Sequence, residues 1–453
     1  MPPTTPRLPL SSYIAQSSPN GIQIAFNRLS RNFSSNTWLN SSNRYRSSTI
    51  QNIDADFSPN NINNSINNST INSSLSEYIA ASAPLHCLEG WSFLGRALEC
   101  HTRGDFDSSR HLAYYAELRG AMSLLASEGI GIFQNKHFFV DVNGTCNYIP
   151  INQGTHQIAW DALEEWSILR SGNFTSDVIQ VQGYSLGNWL NTVSAGNPLQ
   201  SIASDWFTRW GLDLQTLKND RTARNEASYR PRRIDNPTPL QVLNCLRFVH
   251  DLWQSHQPTE GNFENIDRHL LRVSLEKTYY GVYGNSLSTS LESRIDIVLR
   301  TINFNTPKAV IWKKFLLRQD DPHDSNLIIQ ANGSSSISDP DHHIQVISRA
   351  ALLLRFSTAA SARLCRNAGI TSDDLSFWWH ILGSDRSLWE PNNAPDSSQD
   401  IWEDINNALE TISDWESENQ TSNPSYAQWR RECNSSIDIL GSCELIGLWG
   451  MGC

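Results

Sequence analysis

The sequence predicts a mainly α protein: a helical core carrying one small β-hairpin, preceded by a disordered N-terminal arm. Three observations lead there. Apolar residues recur at helical spacing in most segments after residue 85. Strand-like alternation around an Asn-Gly pair occurs once, at residues 137–149. The tract from Ser58 to Ser74 is built almost wholly of Asn, Ser and Ile, too polar and repetitive to offset the entropy of ordering it.

The elements follow in order. Two copies of one phrase flank the Asn/Ser tract, Ser11 to Pro19 and Ser76 to Pro84, sharing Ser, Tyr, Ile, Ala, Ser and Pro at matching places. A short duplication accounts for them. The functional reading is a swappable arm, in which one copy replaces the other in a single groove; the plain reading is an insertion tolerated near a terminus. From Leu88 to Leu98 apolar groups take helical spacing, and a second helix runs Arg110–Ser127 behind a cap at Ser108 or Ser109. That helix is apolar around most of its circumference, which makes it central. His137 to Ile149 reads as the hairpin, with Asn143-Gly144 supplying a type I′ turn. Helices follow at 155–170, 187–192, 198–212 and 239–256. A long one spans 344–368, nearly unbroken in apolar residues from Ala350 to Leu354 and stopped by Gly369. Ser372-Asp373-Asp374 caps the next, since acids favour the first turn. An acidic helix around 400–416 precedes an irregular, flexible tail, 433–453. The organisation is therefore an arm with linker (1–75), a helical core (76–300), a further helical region (301–432) and the tail.

Composition narrows the function. Among 453 residues, 46 acids against 35 bases give a net charge of -11 and a pI of about 5.5. No global basic field draws nucleic acid or an anionic membrane, so any RNA contact is local. Only six of the bases are lysine, at 136, 218, 277, 308, 313 and 314. The eight cysteines contain no C-x-x-C pair, and no metal or cofactor is expected. No apolar run reaches membrane-spanning length, and the start, Met1-Pro2-Pro3, lacks the charged and apolar regions of a secretion signal. A cytoplasmic location is the expectation. Phosphate-loop, dinucleotide and H-E-x-x-H motifs are absent. Gly183-Tyr-Ser185-Leu-Gly187 matches G-x-S-x-G formally, without the alternating strands and helices that a nucleophile elbow needs. Asp341-His342-His343 offers metal-ligand types in a polar loop.

The stretch with the most chemistry is Arg224-Asn225-Glu226-Ala227-Ser228-Tyr229. It resembles the R-N-x-x-x-H motif of HEPN ribonucleases with tyrosine in place of histidine. The order of a Trp-containing helix, an apolar Tyr-Tyr helix, a hairpin and then this motif resembles the YaaC-like, HEPN-related proteins over roughly 85–300. The resemblance implies that Arg224 and Asn225 face an RNA phosphate and that Tyr229 stands where the proton carrier belongs. Tyrosine is a poor base near neutral pH, with a reference pKa of about 10 against about 6.5 for histidine. A proton carrier from a neighbouring helix, His101 or His111, would complete such a site. The looser R-x4–6-H pattern occurs at Arg96…His101 and Arg318…His323, no more often than chance allows. Arg221, Arg230, Arg232 and Arg233 surround the motif as the densest basic run of the chain; they suit phosphate contact, or pairing with acids across an interface.

Two functions follow from the resemblance. One is a non-catalytic interaction or scaffold subunit of a prokaryotic defence or toxin–antitoxin assembly, with a protein partner or a second copy of itself. The other is a metal-independent ribonuclease acting through Arg224, with RNA as its partner. Acidic charge, the 16 tryptophans and the aromatic substitution at the motif favour the first.

Overall fold

The computed structural model is mainly α and describes residues 9–30, 69–133, 135–191, 193, 199–212, 214–215, 242–259, 263–284, 290–335, 339, 341–385, 388–390, 393–422 and 424–452. The expected arm is helical where it is described. Helix α1 (Leu10–Gln16) and helix α2 (Pro19–Ser30) carry Ile14, Ile22, Ala25 and Phe26 into the core. The Asn/Ser tract lies outside the described residues up to position 68. Its last residues open helix α3 (Ser69–Thr102), which runs through Pro84. The side-chain amide of Asn72 earns this order by pairing with both backbone groups of Cys146, at 2.7 and 2.8 Å.

Helix α4 (Phe106–Ser127) is central, as its apolar circumference predicts. Three strands follow: β1 (Ile130–Phe133), β2 (Lys136–Val140) and β3 (Cys146–Ile149), an antiparallel meander with β2 in the middle. The expected hairpin is thus β2–β3, and β1 was not foreseen. Its turn also differs from type I′. Gly144 alone takes a positive φ, +79°, while the Asp141 carboxylate accepts the N–H groups of Asn143 and Thr145. A short polar side chain organises the loop where two left-handed residues were expected.

The duplicated phrases cover opposite faces of this sheet. Tyr13 of the first copy lies 6.1 Å from Phe139, and Tyr78 of the second 5.2 Å from Phe133, itself beside Phe138. Neighbouring strand residues point to opposite faces, so Phe138 and Phe139 separate the two copies. Ile14 and Ile79, equivalent in the repeat, are both fully buried. Arg170 fastens the first copy by donating to the carbonyl of Ala15 and the hydroxyl of Ser17. Both copies are seated at once, which removes the swappable-arm reading.

Helix α5 (Thr155–Val178) leads through a two-stranded turn, β4 (Gln180–Val181) and β5 (Tyr184–Ser185), into the short α6 (Leu186–Leu190). Ser185 caps α6 by accepting the N–H of Asn188, which is the role its G-x-S-x-G setting serves. Helix α7 (Leu199–Trp210) packs on α5, with Trp206 and Trp210 stacked 5.6 Å apart. Helix α8 (Val242–Ser255) matches the expected 239–256 segment. Four helices then occupy a stretch that the sequence analysis calls helical without placing any single helix: α9 (Glu264–Tyr283), α10 (Leu291–Thr301), α11 (Thr306–Leu316) and α12 (Asn326–Ala331).

Helix α13 (His342–Asn367) lies against α4 and α3 as the third long helix of the core. Gly90 and Gly120 face Leu354 and Leu353 there; a Cβ on Gly90 would stand 2.3 Å from a Leu354 methyl. Helices α14 (Ser372–Asp385) and α15 (Ser398–Asn419) follow. The expected irregular tail is helical, and its last helix is buried. After α16 (Tyr426–Glu432), it forms α17 (Asn434–Leu440) and α18 (Glu444–Met451), and every residue of α18 is buried. One apolar cluster extends from Ile14 to Met451, so the boundaries drawn at 300 and 432 do not separate independent cores. Among the described residues no helix is long and apolar enough to cross a membrane.

Candidate functional site

The residues singled out by the R-N-x-x-x-Y motif, Arg224, Asn225 and Tyr229, lie outside the described residues, as do Arg221, Arg230, Arg232 and Arg233. The segment that holds them joins two buried anchors, Leu214 and Val242.

His101, the candidate proton carrier, is described in full and is shut inside the core. It sits in the last turn of α3 with no exposed surface. Its Nε2 lies 3.2 Å from the carbonyl of Cys245, and its Nδ1 lies 2.9 Å from Nε2 of His343. A carbonyl only accepts, so His101 donates from Nε2. Its Nδ1 is then the acceptor for the His343 N–H. Both ring nitrogens are committed. Phe106 stacks on His343 with centroids 4.4 Å apart, and Phe248 meets His101 edge-on. Burial pushes the His101 pKa down to about 4, the Cys245 carbonyl opposing only in part. Cys245 adds a contact of 2.7 Å between its sulfur and the Tyr426 hydroxyl. This arrangement joins α3, α8, α13 and α16 and holds no proton for a substrate. His101 is therefore a core residue, corrected from a candidate at a phosphate-facing surface. His343, expected in a polar loop with His342, begins α13 and is buried by the same contacts.

His111 on α4 is half-buried, with its ring edge-on to Tyr115 at 5.0 Å. Burial first, and then the charge of Arg110, lowers its pKa. Of the second Arg–His pair, Arg318 is taken by Glu276 and Asp324.

A cavity of about 1040 Å³ lies elsewhere among the described residues, bounded by α13, the β4–β5 turn, the start of α9, the end of α18 and Lys308 of α11. Along α13, Arg355, Ala359, Ala362 and Arg366 recur at helical spacing on its wall, and the two alanines leave room between the arginines. Arg355 is 2% exposed. Its Nη2 donates to the carboxylate of Asp267 and, at 3.0 Å, to the carbonyl of Val178. One guanidinium thus ties α13 to α9 and α5. Its Nε and Nη1 have no hydrogen-bond partner among the described residues. Phe356 and Phe263 lie 4.9 and 5.5 Å from the guanidinium carbon. Burial raises the pKa of Asp267, and Arg355 offsets this in part.

Further out, Arg363 pairs with the buried Glu128 at 3.1 Å and with Asp177 at 3.9 Å. Glu128 also accepts the indole N–H of Trp166. Arg366 is exposed and makes no ion pair among the described residues, and Lys308 rests over the Phe304 ring at 4.6 Å. Asp177 and Glu264 are the acids on the wall. Cations therefore outnumber acids there in a protein whose net charge is -11.

The sequence carried a signal for this site that the motif search passed over. Arg355 interrupts the apolar run Ala350–Leu354 and is followed by Phe356. A charge in a stripe of that kind is buried and needs a partner. Compared with family models, with curated proteins and with solved structures, the chain matches none.

Proposed function

We propose that the chain is a non-catalytic, HEPN-like interaction subunit that joins a protein partner in a prokaryotic defence or toxin–antitoxin assembly. The observation that carries this reading is the commitment of His101: both ring nitrogens are bonded inside the core, so it cannot supply the proton carrier that Arg224-Asn225-xxx-Tyr229 lacks. Exposed apolar side chains support the partner. Ile311 is 64% and Val310 50% exposed on α11, and Tyr280 is 53% exposed near the end of α9. Val310 and Ile311 are adjacent on one helix, and exposed apolar groups that lie together suit protein contact.

The competing reading is a metal-independent ribonuclease at Arg224, favoured by the arginines around the motif. The two part in an RNA-cleavage assay. Purified protein incubated with total RNA and with tRNA in chelator is expected to leave both intact, and Arg224→Ala and wild type should give the same profile. Fragments from wild type that vanish with Arg224→Ala would replace the interaction reading with the ribonuclease.

A further inference from the structure

We infer that the cleft between the start of α15 and the end of α17 is a binding site for a linear polyamine, an aliphatic chain with several separated ammonium groups. The inference does not rest on the R-N-x-x-x-Y motif or on the interaction reading.

The cleft has a volume of about 620 Å³, inside the usual small-ligand range of roughly 300–1,000 Å³. Three pieces of chain bring carboxylates to its wall. Glu390 and Asp396 come from the segment before α15, Asp400, Glu403 and Asp404 from the first turns of α15, and Asp438 from α17. All six residues are exposed, and none forms an ion pair among the described residues. No described Arg, Lys or His shares the wall with them.

Helix chemistry accounts for only part of this charge. Asp400 belongs to the N-terminal cap of α15, where its carboxylate accepts the Ser397 hydroxyl at 2.9 Å and an acid suits the dipole. Asp438 stands in the last turn of α17, the end at which the dipole opposes an acid. Its charge reaches Glu99, whose pKa is raised first by burial and further by Asp438, with Arg103 opposing. Charge held there without a cation is stabilised when one arrives.

The apolar part of the wall sets the class of cation. Trp389 is half-buried and lies against Gly383, where a Cβ would stand 1.9 Å from the indole. A ring held in this way offers its surface to an ammonium group or to methylenes. Ile401 and Leu445 add aliphatic surface from α15 and α18. The carboxylates do not gather at one point: among the described residues no group of three Asp, Glu, His or Cys could hold a metal ion. A compact ion would meet one or two of them. A polyamine sets an ammonium group against each of several and lays its methylenes on the apolar wall between them.

Calorimetric titration of the full chain with spermidine tests the assignment. Binding is expected, weakening as salt rises. Glu403→Gln combined with Asp404→Asn, both exposed, should reduce affinity about tenfold, the worth of two partly exposed ion pairs. Glu410→Gln combined with Asp414→Asn makes the same charge change farther along α15, outside the cleft, and should leave affinity within about twofold, since charges beyond a Debye length are screened. Trp389→Leu keeps the charge and should also weaken binding. No binding of spermidine at millimolar concentration in low salt would overturn the assignment. So would equal losses in the two acid variants, unchanged affinity in Trp389→Leu, or magnesium displacing spermidine at equal concentration. Hexa-arginine binding where spermidine does not would also overturn it, by making the cleft a docking surface for a basic protein segment.

Discussion

Asp267→Ala is expected to lower the free energy of unfolding by about 3–5 kcal/mol, read as a shift in urea midpoint near pH 7.5. The magnitude comes from what is left behind. Asp267 is fully buried and is the carboxylate bonded to Arg355, so its removal leaves a guanidinium at 2% exposure with only the Val178 carbonyl as partner. Arg355 also links α13 to α9 and α5, so the loss is felt by three elements. The double replacement Arg355→Met with Asp267→Leu should recover most of the stability, because it takes away both charges and restores apolar volume. A single-variant loss under about 1 kcal/mol would show that the pair is not buried as described.

Acidification is expected to destabilise the fold well before its surface carboxylates titrate. Burial pushes His101 and His256 each down to about 4 from an ordinary 6.5. Between those values the unfolded chain binds protons that the folded chain refuses, so stability is fully present above pH 6.5 and is lost as pH falls toward 4. From pH 7.5 to 5 each histidine removes roughly 2 kcal/mol, or about 4 together. His269, also lowered to about 4 by burial and then by Arg272, acts in the same direction. Asp267 opposes them: its raised carboxyl keeps its proton to higher pH in the folded state, which favours folding as pH falls. Urea midpoints at pH 7.5, 6 and 5 should decline steadily. A flat series would contradict the sealed histidines, and His101→Gln combined with His256→Gln should remove much of the slope.

How far the fold could be read from sequence depended on which force set each element. Helix α13 was legible to within two residues at each end, because a nearly continuous apolar run and a Gly369 stop leave no other reading. The meander was legible in its second half, where Asn143-Gly144 punctuates it, but its turn is organised by the Asp141 side chain. The C-terminal helices were missed because Gly441, Gly447 and Gly450 look like breakers. In the fold they are contact points: a Cβ on Gly447 would stand 2.9 Å from Leu88 and Trp91, and one on Gly450 2.5 Å from Phe263 and Thr358. Close packing between distant segments selected those glycines, and local pattern carries no trace of it. The duplicated phrases were visible, yet only the sheet between them shows that they serve opposite faces.

The candidate site was less legible. His101 drew notice through its spacing from Arg96, a relation that a solvated pair and a core histidine share equally. What decides its role is His343, Cys245 and Phe248, each more than a hundred residues away in sequence. Arg355 and Asp267 are likewise separated by 88 positions, and neither belongs to a motif.

The claim on which the functional reading turns is that His101 belongs to the core and has no proton to exchange. Nitrogen-detected NMR of the histidine side chains, with His101→Gln to assign the signal, tests it in one titration. The account predicts a neutral ring protonated at Nε2 throughout pH 8 to 5, titrating only near 4. A ring that titrates near 6.5 would place His101 within reach of solvent and return it as a proton carrier for Arg224, and a proton on Nδ1 would contradict the bond to the Cys245 carbonyl.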